Sequence, residues 1–218
     1  MFYDVMIVGA GPGGIFSAYE LMKLNPSLKV AVLDAGRPLS GRKCPIDGKK
    51  IKNCIGCSPC SIMNGFGGAG AFSDGKYNIT NNFGGTLYEY IGKDEALSLM
   101  RYVDEINLNM GGLGTKLYST SNSKIKTLCV QNNLHLLDAS VRHLGTDINY
   151  VVLQNLYDTL KDKVDFHFLA TVEKVEKPDS GYRLYTNKEA FEGKQCIISV
   201  GRSESKRMED VCKDLDIP

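Results

Sequence analysis

Residues 3–8, Tyr-Asp-Val-Met-Ile-Val, form a largely apolar run with β-branched side chains that stops at Gly9. A run of that kind predicts a strand buried on both faces, the condition of a parallel sheet. From Gly13 to Lys23 the apolar residues Ile15, Ala18, Leu21 and Met22 recur at helical spacing, and Pro26 marks the end of the helix they predict. A second strand is predicted at 29–34. Regular patterning then lapses and returns late in the chain. Residues 93–110 predict a helix, and 147–163 another, with Asp147 as its N-cap and Ile148, Val151, Val152, Leu156 and Leu160 on its inner face. Short strand-like runs follow at 164–169, 170–176, 182–186 and 195–200, with the turn "KPDSG" before the third. The order of elements predicts an α/β fold of Rossmann-like type: a parallel sheet with helices on both faces plus a small β-meander.

The turn between the first strand and the first helix reads Gly9-x-Gly11-x-x-Gly14. With a strand before it, a helix after it, a second strand and then an acid, this is the full context of a dinucleotide-binding fingerprint. Gly9 permits the tight turn, Gly11 lets the backbone approach a pyrophosphate, and Gly14 lets the helix pack close to the strand. The helix N-terminus, which opens at Pro12 and Gly13, offers the free N–H groups that follow the proline, and its positive dipole end, to phosphate. Asp34 lies 20 residues after Gly14, where a carboxylate accepts hydrogen bonds from ribose hydroxyls and repels a 2′-phosphate.

Composition narrows the setting. The chain has 218 residues, 43% of them hydrophobic, enough for one domain with a real core. Lys and Arg number 26 against 25 Asp and Glu, and no run of like charge suggests an arm for nucleic acid or for a membrane surface. Apolar runs are at most a strand long, and the glycine motif begins too early to leave room for a signal peptide, so the cytoplasm is the expected compartment. An odd number of cysteines, seven, suits reduced thiols or metal ligands better than a disulfide framework.

The segment 35–92 is rich in Gly, Pro, Cys and Lys, and a loop of that length in a compact domain is usually functional. It opens with Ala35 and Gly36 and carries Arg42 and Lys43 as candidate positive charge. Its second glycine stretch, "GFGGAGAFSDGK" at 65–76, can lay N–H groups beside a cofactor with little side-chain obstruction. Cys54, Cys57 and Cys60 stand in C-x2-C-x2-C, which matches the opening of a ferredoxin-type motif, but position 64, where the fourth cysteine would come, is Asn. Cys44 completes a set of four for an iron-sulfur cluster or zinc; a redox dithiol and unliganded thiols are the other two readings of the spacing. Cys129, Cys196 and Cys212 sit in apolar contexts and are expected in the core.

Taken together, the glycine fingerprint, the acid closing the second strand, the long segment, the meander and the late strand "IISVG" resemble the FAD domain of glutathione-reductase-type flavoproteins. More narrowly, "SGRKCPI", "GFGGAGAFSDGKYNIT" and "RHLGTD" resemble the bacterial FAD-dependent dehydrogenases, or NAD(P)/FAD-dependent oxidoreductases, over essentially the whole chain. The resemblance implies one FAD/NAD(P)-binding domain over 1–218, with 35–92 wrapping the cofactor. It implies cofactor contacts at Gly9, Gly11, Pro12, Gly13, Gly14, Asp34, Ala35, Gly36 and Arg42, then at Gly67, Gly68, Ser73, Val172 and Gly201, the last beside Ser199 and Val200. Members of the family are about twice this length, so the chain is expected to be the N-terminal part of a longer protein.

Three functions compete at this point. The first is an FAD-dependent oxidoreductase that passes hydride through the flavin, with NAD(P)H as a candidate donor and a small-molecule substrate or electron carrier as partner. In the second the cysteines are the working dithiol or an iron-sulfur centre, with flavin as electron source; related disulfide reductases place redox cysteines in this part of the chain. In the third the chain binds only the ADP half of a dinucleotide. His135, His143 and His167 have no Ser or Cys partner at recognisable spacing; His143, just before "LGTD", is the candidate to face a flavin.

Overall fold

A computed structural model describes residues 1–121 and 123–217. In chain order the elements are β1 (Phe2–Val8), α1 (Pro12–Leu24), β2 (Val30–Asp34), β3 (Lys76–Ile79), α2 (Leu87–Ile91), α3 (Lys93–Asn107), β4 (Leu117–Ser119), α4 (Lys124–Gln131), β5 (Ser140–His143), α5 (Thr146–Leu160), β6 (Asp165–Phe168), β7 (Val172–Glu176), β8 (Tyr182–Thr186), β9 (Ala190–Ile198) and α6 (Ser205–Asp214). They fall into two compact units, one of residues 1–71 and 156–218 and one of residues 72–155.

The first unit is built on a six-stranded sheet in the order β6-β2-β1-β9-β8-β7. The first four strands run parallel and the last two return antiparallel, so the parallel sheet passes into the meander through β9. That strand is longer than the predicted run at 195–200. Its first residues, Ala190 to Gly193, pair with β8, and from Glu192 onward it runs beside β1, from Phe2↔Glu192 to Val8↔Ile198. Both faces of β1 and β2 are buried, as their uninterrupted apolar sequence requires. Met6, Val8, Ala31 and Leu33 pack with Val175, Leu184 and Val211 of α6. On the opposite face, α1 buries Ile15, Ala18 and Met22, the positions its 3.6-residue period selects. Below Val8 and Leu33 the strands part to either side of β1, the topological switch point at which open α/β sheets bind ligands.

The second unit holds a three-stranded antiparallel sheet, β3-β5-β4, which the sequence pattern does not announce. Each of these strands is three or four residues long, too short for alternation to register. The helix expected at 93–110 ends at Asn107 and passes into a π-helical turn over Leu108–Gly112, where Gly111 takes φ +122°. On the predicted second helix the buried face is Asn149, Val152, Leu153, Leu156 and Leu160, while Val151 is 46% exposed. Asp147 lies in the first turn rather than at the cap, because the helix already begins at Thr146. The buried Arg142 of β5 forks onto Asp104 of α3 at 2.8–3.3 Å and also donates to the Thr115 carbonyl. Buried charge is tolerated where every donor finds such a partner.

Candidate functional site

Strands β1, β2 and β9 end side by side, and a cavity of about 400 Å³ opens at their carboxyl ends. Pockets of this size take nucleotide-scale ligands. Gly9 forms its floor with φ +102°, a conformation open to glycine and strained for other residues. A side chain on Gly9 would also collide with the Ser199 carbonyl, because β9 comes alongside and the Ser199 N–H donates to Val8 at 2.8 Å. Gly14 is packed as tightly: a Cβ there would run into the Gly9 carbonyl and lie 3.3 Å from Ile7. Gly11 is the opposite case, with nothing within 4 Å of a Cβ, and it lines the cavity. Two of the three fingerprint glycines are therefore demanded by packing, and the middle one leaves room for a ligand.

The first turn of α1 faces the same cavity. Pro12 starts the helix, Gly11 is its N-cap, and no side chain caps it. Pro12 and Gly13 line the cavity, so the positive end of the helix dipole meets it. Asp34 closes β2 with both carboxylate oxygens anchored: Oδ2 accepts the Ala10 N–H at 2.8 Å and Oδ1 the Gly36 N–H at 2.7 Å. The carboxylate is thereby fixed at the cavity wall, with lone pairs left for a ligand hydroxyl.

The second glycine stretch forms the facing wall. Gly67 donates to the Ala10 carbonyl at 2.8 Å, and a Cβ on Gly68 would come 3.2 Å from Gly11 Cα. Backbone also meets backbone where Gly36 lies against Asn64 and Gly65, which is why both positions are glycine. Phe66 anchors the stretch; it is fully buried, edge-on to Tyr157 at 5.1 Å and Phe166 at 5.8 Å between centroids. Arg42 is 5% exposed and donates to the carbonyls of Ser61, Ile62 and Phe66 at 2.9, 2.7 and 2.6 Å. Burial lowers the pKa of its guanidinium, a trend the nearby Asp34 opposes. Its donors hold the 61–66 turn in place, so its part in the site is to shape the wall.

The third wall comes from Ala170, Thr171 and Val172, with Met208 and Val211 of α6 behind them. Leu169 just ahead has φ +54°, an unusual conformation for a branched residue, and donates its N–H to Gly36. Arg207 donates to the Val172 carbonyl and pairs with Glu204 at 3.1 Å.

Of the residues expected from sequence, Gly9, Gly11, Pro12, Gly13, Asp34, Ala35, Gly68, Val172 and Gly201 line this one cavity. Gly14, Gly36, Gly67 and Arg42 stand behind it as packing or hydrogen-bonding supports. Ser73 belongs to the second unit, where its hydroxyl accepts the Gly75 N–H. His143 is also there, half-exposed with Nε2 4.0 Å from Asp74, whose carboxyl the Lys76 ammonium at 2.6 Å holds below its usual range. Sequence reasoning missed Met63, Asn64, Thr171, Arg202 and Glu204, which lie in stretches without a periodic pattern. Cys44, Cys54, Cys57 and Cys60 line a separate small hollow, and among the described residues no three His, Cys, Asp or Glu side chains form a ready-made metal site. Cys196 packs against the core, where burial pushes its thiol up to about 11; Cys129 and Cys212 are half-buried. No helix among the described residues is long and apolar enough to cross a membrane.

No family model matches the chain, and no curated protein matches it. Solved structures do. Glycine oxidase from Geobacillus kaustophilus superposes with a TM-score of 0.56 at 16% identity, over 99% of this chain and 58% of that one. NikD, an unusual amino acid oxidase essential for nikkomycin biosynthesis, gives 0.52 at 11% identity, over 98% of this chain and 54% of its own. Quinol fumarate reductase FrdA from E. coli gives 0.50 at 11% identity, over 92% of this chain and 33% of its own. The chain thus spans little more than half the length of the first two and a third of the last. At these identities the likeness is one of fold: a mixed α/β, Rossmann-type fold with a mostly parallel sheet flanked by helices.

Proposed function

We propose that the chain binds FAD in the cavity at the ends of β1, β2 and β9, and that it serves a flavin-dependent oxidoreductase. The observation that carries this reading is the double glycine wall: Gly11 and Gly68 approach each other across an uncapped helix N-terminus, with the anchored Asp34 carboxylate beside them. The open space at Gly11 fits a pyrophosphate, and the α1 dipole favours its charge. Asp34 accepts hydrogen bonds from ribose hydroxyls while the Ala10 and Gly36 N–H groups hold it in place. Its negative charge disfavours a 2′-phosphate. The apolar wall of Val172, Val175, Met208 and Val211 offers burial to a flat aromatic base and excludes water from it. When bound, FAD supplies a ring that accepts a hydride from a reduced small molecule, NAD(P)H being one candidate, and hands the electrons on.

The test is a titration of FAD into the purified protein, followed by flavin fluorescence and visible spectrum, beside the Gly11→Val variant. Saturable binding that the variant loses, while its circular dichroism stays unchanged, supports the reading. Equal binding by both proteins, or binding of ADP and FAD by neither, overturns it. Bleaching of the bound flavin under anaerobic NADH or NADPH would then identify the donor.

A further inference from the structure

From Arg42 to Gly67 the chain has neither helix nor strand, although its last residues form a wall of the dinucleotide cavity. Four of the seven cysteines fall in this segment, and all four border one hollow of about 20 Å³ otherwise closed by Pro45, Ile46, Ile55, Ser61 and Ile62. All are reduced. The local charge is as uneven as the thiol distribution. Between Arg42 and Cys60 there are five cations, Arg42, Lys43, Lys49, Lys50 and Lys52, against the single carboxylate of Asp47, in a chain whose net charge is only +1.

We propose that Cys44, Cys54, Cys57 and Cys60 bind a single thiophilic divalent cation of the zinc class, which staples this segment in place of secondary structure. Four thiolates round a divalent cation leave excess negative charge, and the stretch of chain that carries them is net positive in sequence. Position 64, where a ferredoxin-type run carries its fourth cysteine, is Asn, so the set is completed through Cys44, a four-cysteine composition of the kind structural zinc sites use. On binding, each thiol releases its proton to solvent as its sulfur donates an electron pair to the cation, so no oxidant or reductant takes part. The sulfurs are not yet gathered into a closed site, so the loop carrying Cys54 and Cys57 adjusts on binding. Gly56 between them has φ +65° with open space around it, and Cys54 is exposed, so the adjustment meets no packed neighbour there. The effect reaches the cavity through the backbone. The Cys60 carbonyl accepts the N–H groups of Met63 at 3.2 Å and Asn64 at 2.9 Å, and both residues line the cavity.

The experiment loads the reduced full chain with zinc, removes excess on gel filtration and measures metal by mass spectrometry, with cobalt(II) as a spectroscopic substitute. The expected result is one tightly held zinc per chain and, with cobalt, the intense thiolate-to-metal absorption of a four-sulfur site. Cys44→Ser and Cys57→Ser should lose that absorption, and Cys129→Ser and Cys212→Ser should keep it. Trypsin should cut at Lys49, Lys50 and Lys52 more slowly with zinc bound. Should a cysteine variant fail to fold, the cobalt spectrum of the unaltered chain still decides, since fewer sulfurs give weaker charge-transfer bands. No retained metal with all thiols open to a thiol reagent, iron with acid-labile sulfide, or zinc held equally by every variant would each overturn the proposal. Metal content is read without FAD, so a failure here leaves the flavin reading untouched.

Discussion

The sharpest test of the cavity's architecture sets Gly11→Ala against Gly14→Ala, the same added methyl group three residues apart. At Gly14 the new Cβ would enter the Gly9 carbonyl oxygen and sit 3.3 Å from Ile7 Cγ2. Both are parts of the packed β1–α1 junction, so neither yields cheaply. Overpacking of this kind costs about 1–3 kcal/mol, with backbone neighbours at the upper end. Alanine in place of glycine inside a helix returns about 1 kcal/mol. The net expectation is a loss of about 1–2 kcal/mol of stability. At Gly11 nothing lies within 4 Å, and φ is −75°, which any residue adopts. Reduced freedom of the unfolded chain stabilises by about 0.4–1 kcal/mol, and the poorer N-cap offsets roughly the same amount, so the fold should be indifferent. The methyl group instead enters the ligand space, and the same ~1–3 kcal/mol appears as weaker binding, roughly 5- to 150-fold. Urea denaturation measures the first quantity and a fluorescence titration with FAD the second. A Gly14→Ala protein as stable as the parent, or a Gly11→Ala protein that binds FAD with undiminished affinity, would refute the division into packing glycine and ligand glycine.

Other expectations follow from single contacts. Asp34→Ala leaves the Ala10 and Gly36 N–H groups without the carboxylate that accepts them; with charged hydrogen bonds worth ~1.5–3 kcal/mol each and the site only part-buried, the fold should lose about 2–4 kcal/mol in addition to nucleotide affinity, and an unchanged urea midpoint would contradict this. Phe66→Ala removes a fully buried ring from between Tyr157 and Phe166 and should cost about 3–5 kcal/mol by denaturation, loosening the cavity wall with it; a loss below about 1 kcal/mol would mean the ring is not an anchor. Burial depresses the pKa of His167 below its ordinary 6.5, so the unfolded chain takes up the proton first, and stability contributed by the neutral ring is lost as pH falls below about 6.5 towards the folded value. Replacing it in His167→Gln should flatten that acid limb of a stability–pH profile, and an identical slope in the variant would assign the effect to another group.

The strand, the three glycines, the helix and Asp34 could be read directly from the chain because each is specified locally. A buried parallel strand demands an unbroken apolar run, the tight turn demands glycine, and an amphipathic helix repeats every 3.6 residues. The late strand was legible as an apolar run, but its place beside β1, which makes Gly9 incompatible with any side chain, is a contact between residues nearly the full chain apart. The helix at 146–160 shows how local pattern fails by a small rotation. Its apolar stripe admitted Val151, whereas Asn149 took the buried place, satisfied by a hydrogen bond from Tyr77 at 3.0 Å that no periodicity reveals.

The same division runs through the site. Sequence alone determined that a glycine turn and an acidic residue stand at the ends of the first two strands of an α/β sheet, since backbone conformation and strand ends follow from neighbouring residues. Tertiary structure decided what faces them. It laid the second glycine stretch against Gly11 and turned Arg42 inward onto three carbonyls. It also set four cysteines, up to sixteen residues apart in the chain, around one hollow. The physical reason is that an irregular segment has no repeating pattern to betray its path. Its position is fixed by hydrogen bonds and packing to distant backbone, which exist only once the sheet has formed.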